Sequence, residues 1–120
     1  MTTTPAQLDP AAIARLRELD PSGENKLLER VIQAFSASLD RLQPDLERAR
    51  AADTLDLAVI RHVSHTLKSS SASLGATALS TRCAHIETMV REERLAGLSE
   101  QLDAMLLDIQ QVRAALAALR

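Results

Sequence analysis

The sequence predicts an all-α fold, an antiparallel up-down four-helix bundle with a short additional N-terminal helix. Gly and Pro number only three and four in 120 residues, and good helix formers such as Ala and Leu are abundant. Aromatic and β-branched residues, which strands favour, are scarce, and Phe35 is the single aromatic residue. With 46% hydrophobic and 25% charged residues, the composition is that of a globular protein. The length suits one domain over residues 1–120, with residues 1–8 expected to be a flexible N-terminus.

The first two helices follow from capping signals and apolar spacing. Asp9 before Pro10 is an N-cap followed by proline at the first helical position, which predicts a short helix. The second helix carries apolar residues spaced by threes and fours, at Leu28, Val31, Phe35, Leu39, Leu42 and Leu46. Pro44 lies within this pattern and lacks a backbone N–H, so a kink or a break is expected there.

The third and fourth helices have one apolar face each. Asp53 or Thr54 is the predicted cap of the third helix, and Gly75 is placed to end it. Its inward seam is predicted at Leu57, Ile60, Ser64, Leu67, Ser71 and Leu74. The fourth helix is predicted from about Thr77 to Leu95, with its inward face at Leu79, Cys83, Ile86 and Val90.

Gly97 separates the fourth helix from a fifth, for which Ser99 is the predicted cap. The inward residues of the fifth helix are predicted at Leu102, Met105, Ile109, Val112, Leu116 and Leu119. Because the loops between the last three helices are short, neighbouring helices should run antiparallel. The short first helix is then expected to act as a lid on the bundle.

Composition also excludes several classes of function. A formal net charge of −2 and the lack of an aromatic platform argue against nucleic-acid binding. The longest apolar runs are far too short to span a membrane, and the first ten residues do not resemble a signal peptide. A single cysteine, Cys83, excludes an intramolecular disulfide and suits a reducing compartment. These observations predict a cytoplasmic protein, or a domain of a larger one, without a membrane partner. The oligomeric state is left open, with a monomer favoured.

His65 is predicted to lie on the outer face of the third helix. At about 100° per residue, its side chain points roughly 140° away from the apolar seam. Its helical neighbours Ala58, Ser69 and Ala72 are all small, so nothing bulky shields the imidazole. This arrangement predicts an accessible ring.

Two cations flank this ring, Arg61 at i−4 and Lys68 at i+3. An exposed imidazole beside cations can accept and hold an anionic group, because the cations offset the added negative charge. The pattern therefore points to a phosphate-accepting histidine. In the seam, the small side chains of Ser64 and Ser71 would let another helix approach closely, and their hydroxyls could bond back to the preceding turn.

The residues around His65 resemble the histidine-containing phosphotransfer (HPt) domain family of two-component phosphorelays. The shared pattern is His65-x-Leu67-Lys68-x-Ser70-Ser71-x-x-Leu74-Gly75-Ala76, followed by Leu79, Cys83 and Glu87. The resemblance implies a four-helix bundle that carries one exposed phosphorylatable histidine. It also implies a phosphotransfer intermediate without kinase or phosphatase activity of its own.

By this resemblance, His65 would accept the phosphoryl group through Nε2, and Lys68 would contact the phosphoryl oxygens. Glu87 matches the position that orients the ring through Nδ1, and Arg91, one turn later, is a second candidate for phosphate contact that could also pair with Glu87. Ser69 stands where the family usually has glycine. Its side chain would either narrow the site and weaken the docking of some partners or bond the phosphoryl group.

The implied partners are response-regulator receiver domains and a sensor histidine kinase, which could be a hybrid kinase. The receiver domain would supply Mg²⁺, so the chain is expected to need no cofactor of its own. The expected partner surface is the exposed face of the third helix with parts of the fourth, and the first helix could contribute to it. It would present small groups such as Ala58 and Ala72, rimmed by Arg61, Lys68 and Arg91.

Three other interpretations compete with phosphotransfer. An HPt-like bundle could bind a kinase or a receiver domain without being phosphorylated, although the intact His65 and Lys68 argue against this. A bundle that serves only oligomerisation would leave the small-residue surroundings of the histidine unexplained. His62, His65 and Glu87 could form a metal site, but bundle metal sites use several inward-facing carboxylates. Here the inward positions are aliphatic, so no metal ligands are predicted.

Overall fold

The computed structural model describes residues 8–119, which form five α-helices joined by loops, with no strand among the described residues. The helices are α1 (Pro10–Glu18), α2 (Leu27–Ala51), α3 (Leu57–Ser73), α4 (Thr77–Arg91) and α5 (Leu98–Ala118). The predicted all-α fold is therefore confirmed. Of the N-terminal segment predicted to be flexible, only Leu8 lies within the described residues, and it is half-buried against the core.

The four long helices close into a ring. Each of α2, α3 and α4 packs against the helix that follows it, α5 returns to pack against α2, and α1 packs against α2. Their apolar faces meet in one core, in which burial of each large aliphatic side chain contributes about 1.5–3 kcal/mol. The largest fully buried side chains are those of Ile32, Leu39, Leu46, Ile60, Leu67, Leu74, Leu79, Ile86, Leu98, Leu102, Met105 and Ile109.

The lid helix α1 is fastened to the turn between α3 and α4. The backbone N–H of Asp9 donates to the carbonyl of Gly75 at 2.7 Å, and the Asp9 carboxylate caps α1 by accepting from the N–H of Ala11 at 3.0 Å. Ala12 and Ile13 are buried. The predicted capping signal at Asp9 and Pro10 therefore opens α1 and fixes it over one end of the bundle.

The break considered at Pro44 and the predicted cap of α3 both differ from the structure. Helix α2 continues through Pro44 without a break, because Pro44 is exposed and the carbonyl that loses its helical donor can bind water instead. Helix α3 is capped by neither Asp53 nor Thr54 but by Asp56, whose carboxylate accepts from the N–H of Val59 at 3.3 Å.

The α4–α5 connection also differs from the prediction. Helix α4 ends at Arg91 rather than near Leu95, and Glu93 in the following loop has a left-handed backbone with φ of 57°. Gly97, not Ser99, is the N-cap of α5, with φ of 81°. The loop is therefore longer than the periodicity indicated, and α5 begins slightly earlier.

The start of α2 is capped from a distance by Asp20. The N-cap residue Lys26 makes no side-chain capping bond, whereas the Asp20 carboxylate accepts from the N–H of Leu27 at 3.1 Å and from that of Asn25 at 3.3 Å. We expect Asp20→Ala to lower the free energy of unfolding by about 1 kcal/mol, as loss of a helix cap does. Urea denaturation measures this, with Asp53→Ala as the control because that side chain is exposed. Equal effects of the two substitutions would show that Asp20 is not a cap.

Candidate phosphotransfer site

The candidate site lies between α3 and α4, which pack against each other more extensively than any other pair of helices. Ser64 and Ser71 in the α3 seam are fully buried, and their small side chains suit a close approach of neighbouring helices. The predicted bond of their hydroxyls to the preceding turn is wrong, because neither hydroxyl oxygen has a hydrogen-bond partner among the described residues.

The imidazole of His65 is open to solvent on one side and held by α4 on the other. Its side chain is 68% exposed, and its Nδ1 lies 2.7 Å from Oε2 of Glu87. An ionised carboxylate can only accept hydrogen bonds, so the ring must carry its proton on Nδ1. The neutral ring then has its unshared electron pair on Nε2, which faces away from Glu87. The geometry thus presents Nε2 as a nucleophile.

Glu87 is itself held by Lys68. The Glu87 side chain is only 12% exposed, and its second oxygen, Oε1, accepts from Nζ of Lys68 at 2.6 Å. The hydrogen bond from Lys68, and next the one from His65, hold the pKa of Glu87 below its ordinary value, although burial acts in the opposite direction. The carboxylate therefore stays ionised while it faces the ring.

Ser80 adds a further tie between the two helices, which the sequence analysis did not single out. Its hydroxyl on α4 donates to the backbone carbonyl of Lys68 on α3 at 2.8 Å. Ser80 precedes Glu87 by seven residues, about two helical turns, so both lie on the face of α4 that contacts α3. This seven-residue spacing is the signal in the sequence from which the role of Ser80 could have been predicted. The bond helps fix Lys68 and Glu87 in register.

A cavity of about 350 Å³ opens beside the histidine. It is lined by Ala58, Arg61, His62, His65 and Glu87. The structure therefore brings the small Ala58 and the cationic Arg61 together with His65.

The other predicted site residues are not part of the lining of this cavity. Ser69 and Ala72 are exposed on α3, and Lys68 is directed to Glu87. Arg91 is exposed and donates to Oγ1 of Thr88 at 3.4 Å. The predicted Glu87–Arg91 pair is not formed, because both Glu87 oxygens are already bound by α3.

The alternative metal site receives no support from the arrangement of side chains. In residues 8–119, no three His, Cys, Asp or Glu side chains are grouped so that they could hold a metal ion. His85 is exposed on α4. Cys83 is fully buried, and burial raises the pKa of its thiol to about 12, so it is a buried apolar residue rather than a nucleophile.

No helix in the described part of the chain is both long and apolar enough to cross a membrane.

The comparisons with known proteins concern the family and the fold of the chain. The family model of the Hpt domain matches residues 30–119. Among solved structures, the chain is similar in fold to histidine-containing phosphotransfer protein B (HptB) from Pseudomonas aeruginosa PAO1, with 23% identity, coverage of 96% of this chain and 95% of that chain, and a TM-score of 0.69. No curated protein matches the chain. Because the family match spans most of the chain, including the helices that carry His65 and Glu87, the chain belongs to the Hpt domain family.

Proposed function

We propose that the chain is a phosphorelay intermediate. It accepts a phosphoryl group on His65 from a receiver-domain aspartate or from a kinase, and passes the group to another response regulator. The observation that carries this proposal is the exposed His65 ring, whose Nδ1 is bound by the Glu87 carboxylate. Proteins of the Hpt family are phosphotransfer intermediates rather than classical enzymes. The role implies the cytoplasm as the location of the chain.

The proposed reaction is a displacement at phosphorus. The electron pair on Nε2 of His65 attacks the aspartyl phosphate, the N–P bond forms, and the P–O bond breaks. The aspartate leaves as a carboxylate with the electron pair of that bond. The proton on Nδ1 stays on the ring, and the Glu87 carboxylate offsets the positive charge that the ring gains. Transfer to the next receiver domain reverses these steps.

In this reaction the chain positions the nucleophile and supplies no cofactor. The receiver domain would supply Mg²⁺ and the charges that stabilise the transferring phosphoryl group, while the bundle holds the nucleophile at a fixed place. Lys68 carries three N–H donors, so it can keep its bond to Glu87 and offer another to a phosphoryl oxygen. The exposed, small side chains Ala58, Ser69 and Ala72 leave α3 open to a receiver domain.

Phosphoryl transfer from a labelled receiver domain tests the proposal. The wild-type chain is expected to take up label that is acid-labile and alkali-stable, as phosphohistidine is, and to take up none from ATP alone. We expect His65→Gln to abolish the label without loss of stability, because the side chain is largely exposed. His85→Gln is the matched control, since His85 is exposed on α4 outside the site.

Two outcomes would contradict the proposal. If His65→Gln takes up as much label as the wild type, His65 is not the acceptor. If the wild type binds receiver domains or a kinase but takes no label from any receiver domain, the chain is a binding module of the non-phosphorylated kind.

A further inference from the structure

We propose that Arg61 binds the phosphoryl group carried by His65, through its guanidinium, within the cavity that both residues line. The inference rests on the proposed function and names a phosphoryl contact that neither the family match nor the similar structure assigns. The ligand class is a tetrahedral oxyanion covalently bound to Nε2.

Arg61 lies on the side of His65 where the cavity opens. Side chains on a helix lean towards its N-terminus, so the His65 ring leans over the preceding turn, which carries Arg61 and Ala58. The cavity of about 350 Å³ lies on this side, with Arg61, His62 and Ala58 in its lining. Lys68 and Ser69 follow His65 in the helix and are not part of that lining. A group attached to Nε2 therefore has open space beside Arg61.

The cations near His65 differ in whether their side chains already have a hydrogen-bond partner. Lys68 donates to Glu87, and Arg91 donates to Thr88. Arg61 is exposed, and within residues 8–119 it makes neither an ion pair nor a side-chain hydrogen bond. The N–H groups of its guanidinium can therefore bind an anion without first breaking another hydrogen bond.

The charge and shape of the Arg61 side chain suit a phosphoryl group. A guanidinium is always protonated and its planar donors match two oxygens of a phosphoryl group at once. The Glu87 carboxylate also lines the cavity and would repel an anion, but both of its oxygens are bound, one to His65 and the other to Lys68. His62 lines the same cavity and can donate a ring N–H. The cavity can thus hold an anion.

Phosphorylation by phosphoramidate tests this contact without a partner protein. Nε2 attacks phosphorus, the N–P bond to His65 forms, and the P–N bond of phosphoramidate breaks with release of ammonia. We expect Arg61→Gln to slow formation of phospho-His65 by about tenfold, as loss of a charge-assisted hydrogen bond does. Arg61→Lys should restore part of the rate, and Arg41→Gln, an exposed arginine of α2, should leave it within about twofold. ³¹P NMR gives the rate.

A second measurement separates binding from a structural effect. In the wild type, the ¹⁵N–¹H signal of the Arg61 side chain should shift when His65 is phosphorylated, whereas the Arg41 signal should not. Equal rates for Arg61→Gln and the wild type, or an unmoved Arg61 signal, would overturn the inference.

The same variants are compared with a phosphorylated receiver domain as donor. If phosphoramidate labels His65 and shows the Arg61 dependence but no receiver domain transfers its phosphoryl group, the proposed function fails and the Arg61 contact stands. If receiver domains label the wild type and phosphoramidate labels Arg61→Gln at the wild-type rate, the contact alone fails.

Discussion

Replacing Glu87 with alanine is expected to slow phosphoryl transfer to His65 by about 10- to 100-fold, the range set by losing one hydrogen bond to a charged group. The carboxylate lies 2.7 Å from Nδ1 and holds the proton there. Without it, the neutral ring can place its proton on Nε2, which removes the electron pair that attacks phosphorus, and the ring can also rotate. Rates of transfer from a phosphorylated receiver domain measure the effect.

Two further variants show which property of Glu87 matters. Glu87→Gln keeps an oxygen that can accept from Nδ1 but loses the charge that binds Lys68, so its rate should fall between those of the wild type and Glu87→Ala. Glu47→Ala, an exposed glutamate on α2, is the matched control and should transfer at the wild-type rate. ¹⁵N NMR of the His65 ring reports which nitrogen is protonated. Unchanged transfer by Glu87→Ala, with the proton still on Nδ1, would show that Glu87 does not position the ring.

Helix periodicity predicted most of the core, although some residues predicted to face inward, such as Leu28 and Val31 of α2, are only partly buried. The seam residues of α3 between Ile60 and Leu74 are buried, because a helix that must bury one face repeats its apolar residues every three or four positions. The exposure of His65 follows from the same geometry. The spacing of apolar residues along a helix thus predicts which face is exposed to solvent and which is buried.

Contacts between helices could not be predicted in the same way. The family resemblance implied that Lys68 contacts the phosphoryl oxygens, whereas in the unphosphorylated chain its Nζ reaches Glu87 on α4. Whether that reach is possible depends on the register of α3 against α4, which packing and the Ser80 bond determine. The same reason explains the cap of α3. Asp53, Thr54 and Asp56 are all competent caps, and the backbone bond from Asp56 to Ala49 at the end of α2 selects the last of them.

Gly75→Ala is expected to lower the free energy of unfolding by about 2–4 kcal/mol, because it combines backbone strain with a steric clash. Gly75 ends α3 in a Schellman motif: it has φ of 77°, its own N–H donates to Ala72, and the N–H of Ala76 donates to the carbonyl of Ser71 at 2.8 Å. A Cβ at Gly75 would lie 2.8 Å from the backbone nitrogen of Asp9 and 2.9 Å from Cβ of Ala12. Helix α1 would have to move away.

Gly23→Ala is the control that separates the two causes. Gly23 has nearly the same backbone, with φ of 74°, but nothing lies within 4 Å of the added Cβ. The free energy of unfolding of Gly23→Ala, measured by urea denaturation, should therefore fall only by the cost of the backbone strain, about 1 kcal/mol. The difference between the two variants measures how firmly α1 is docked on the turn. If the two variants lose the same free energy of unfolding, α1 moves away from the new methyl group without an energetic cost. A larger loss at Gly75 would show that the lid helix braces the turn joining α3, which carries His65, to α4, which carries Glu87.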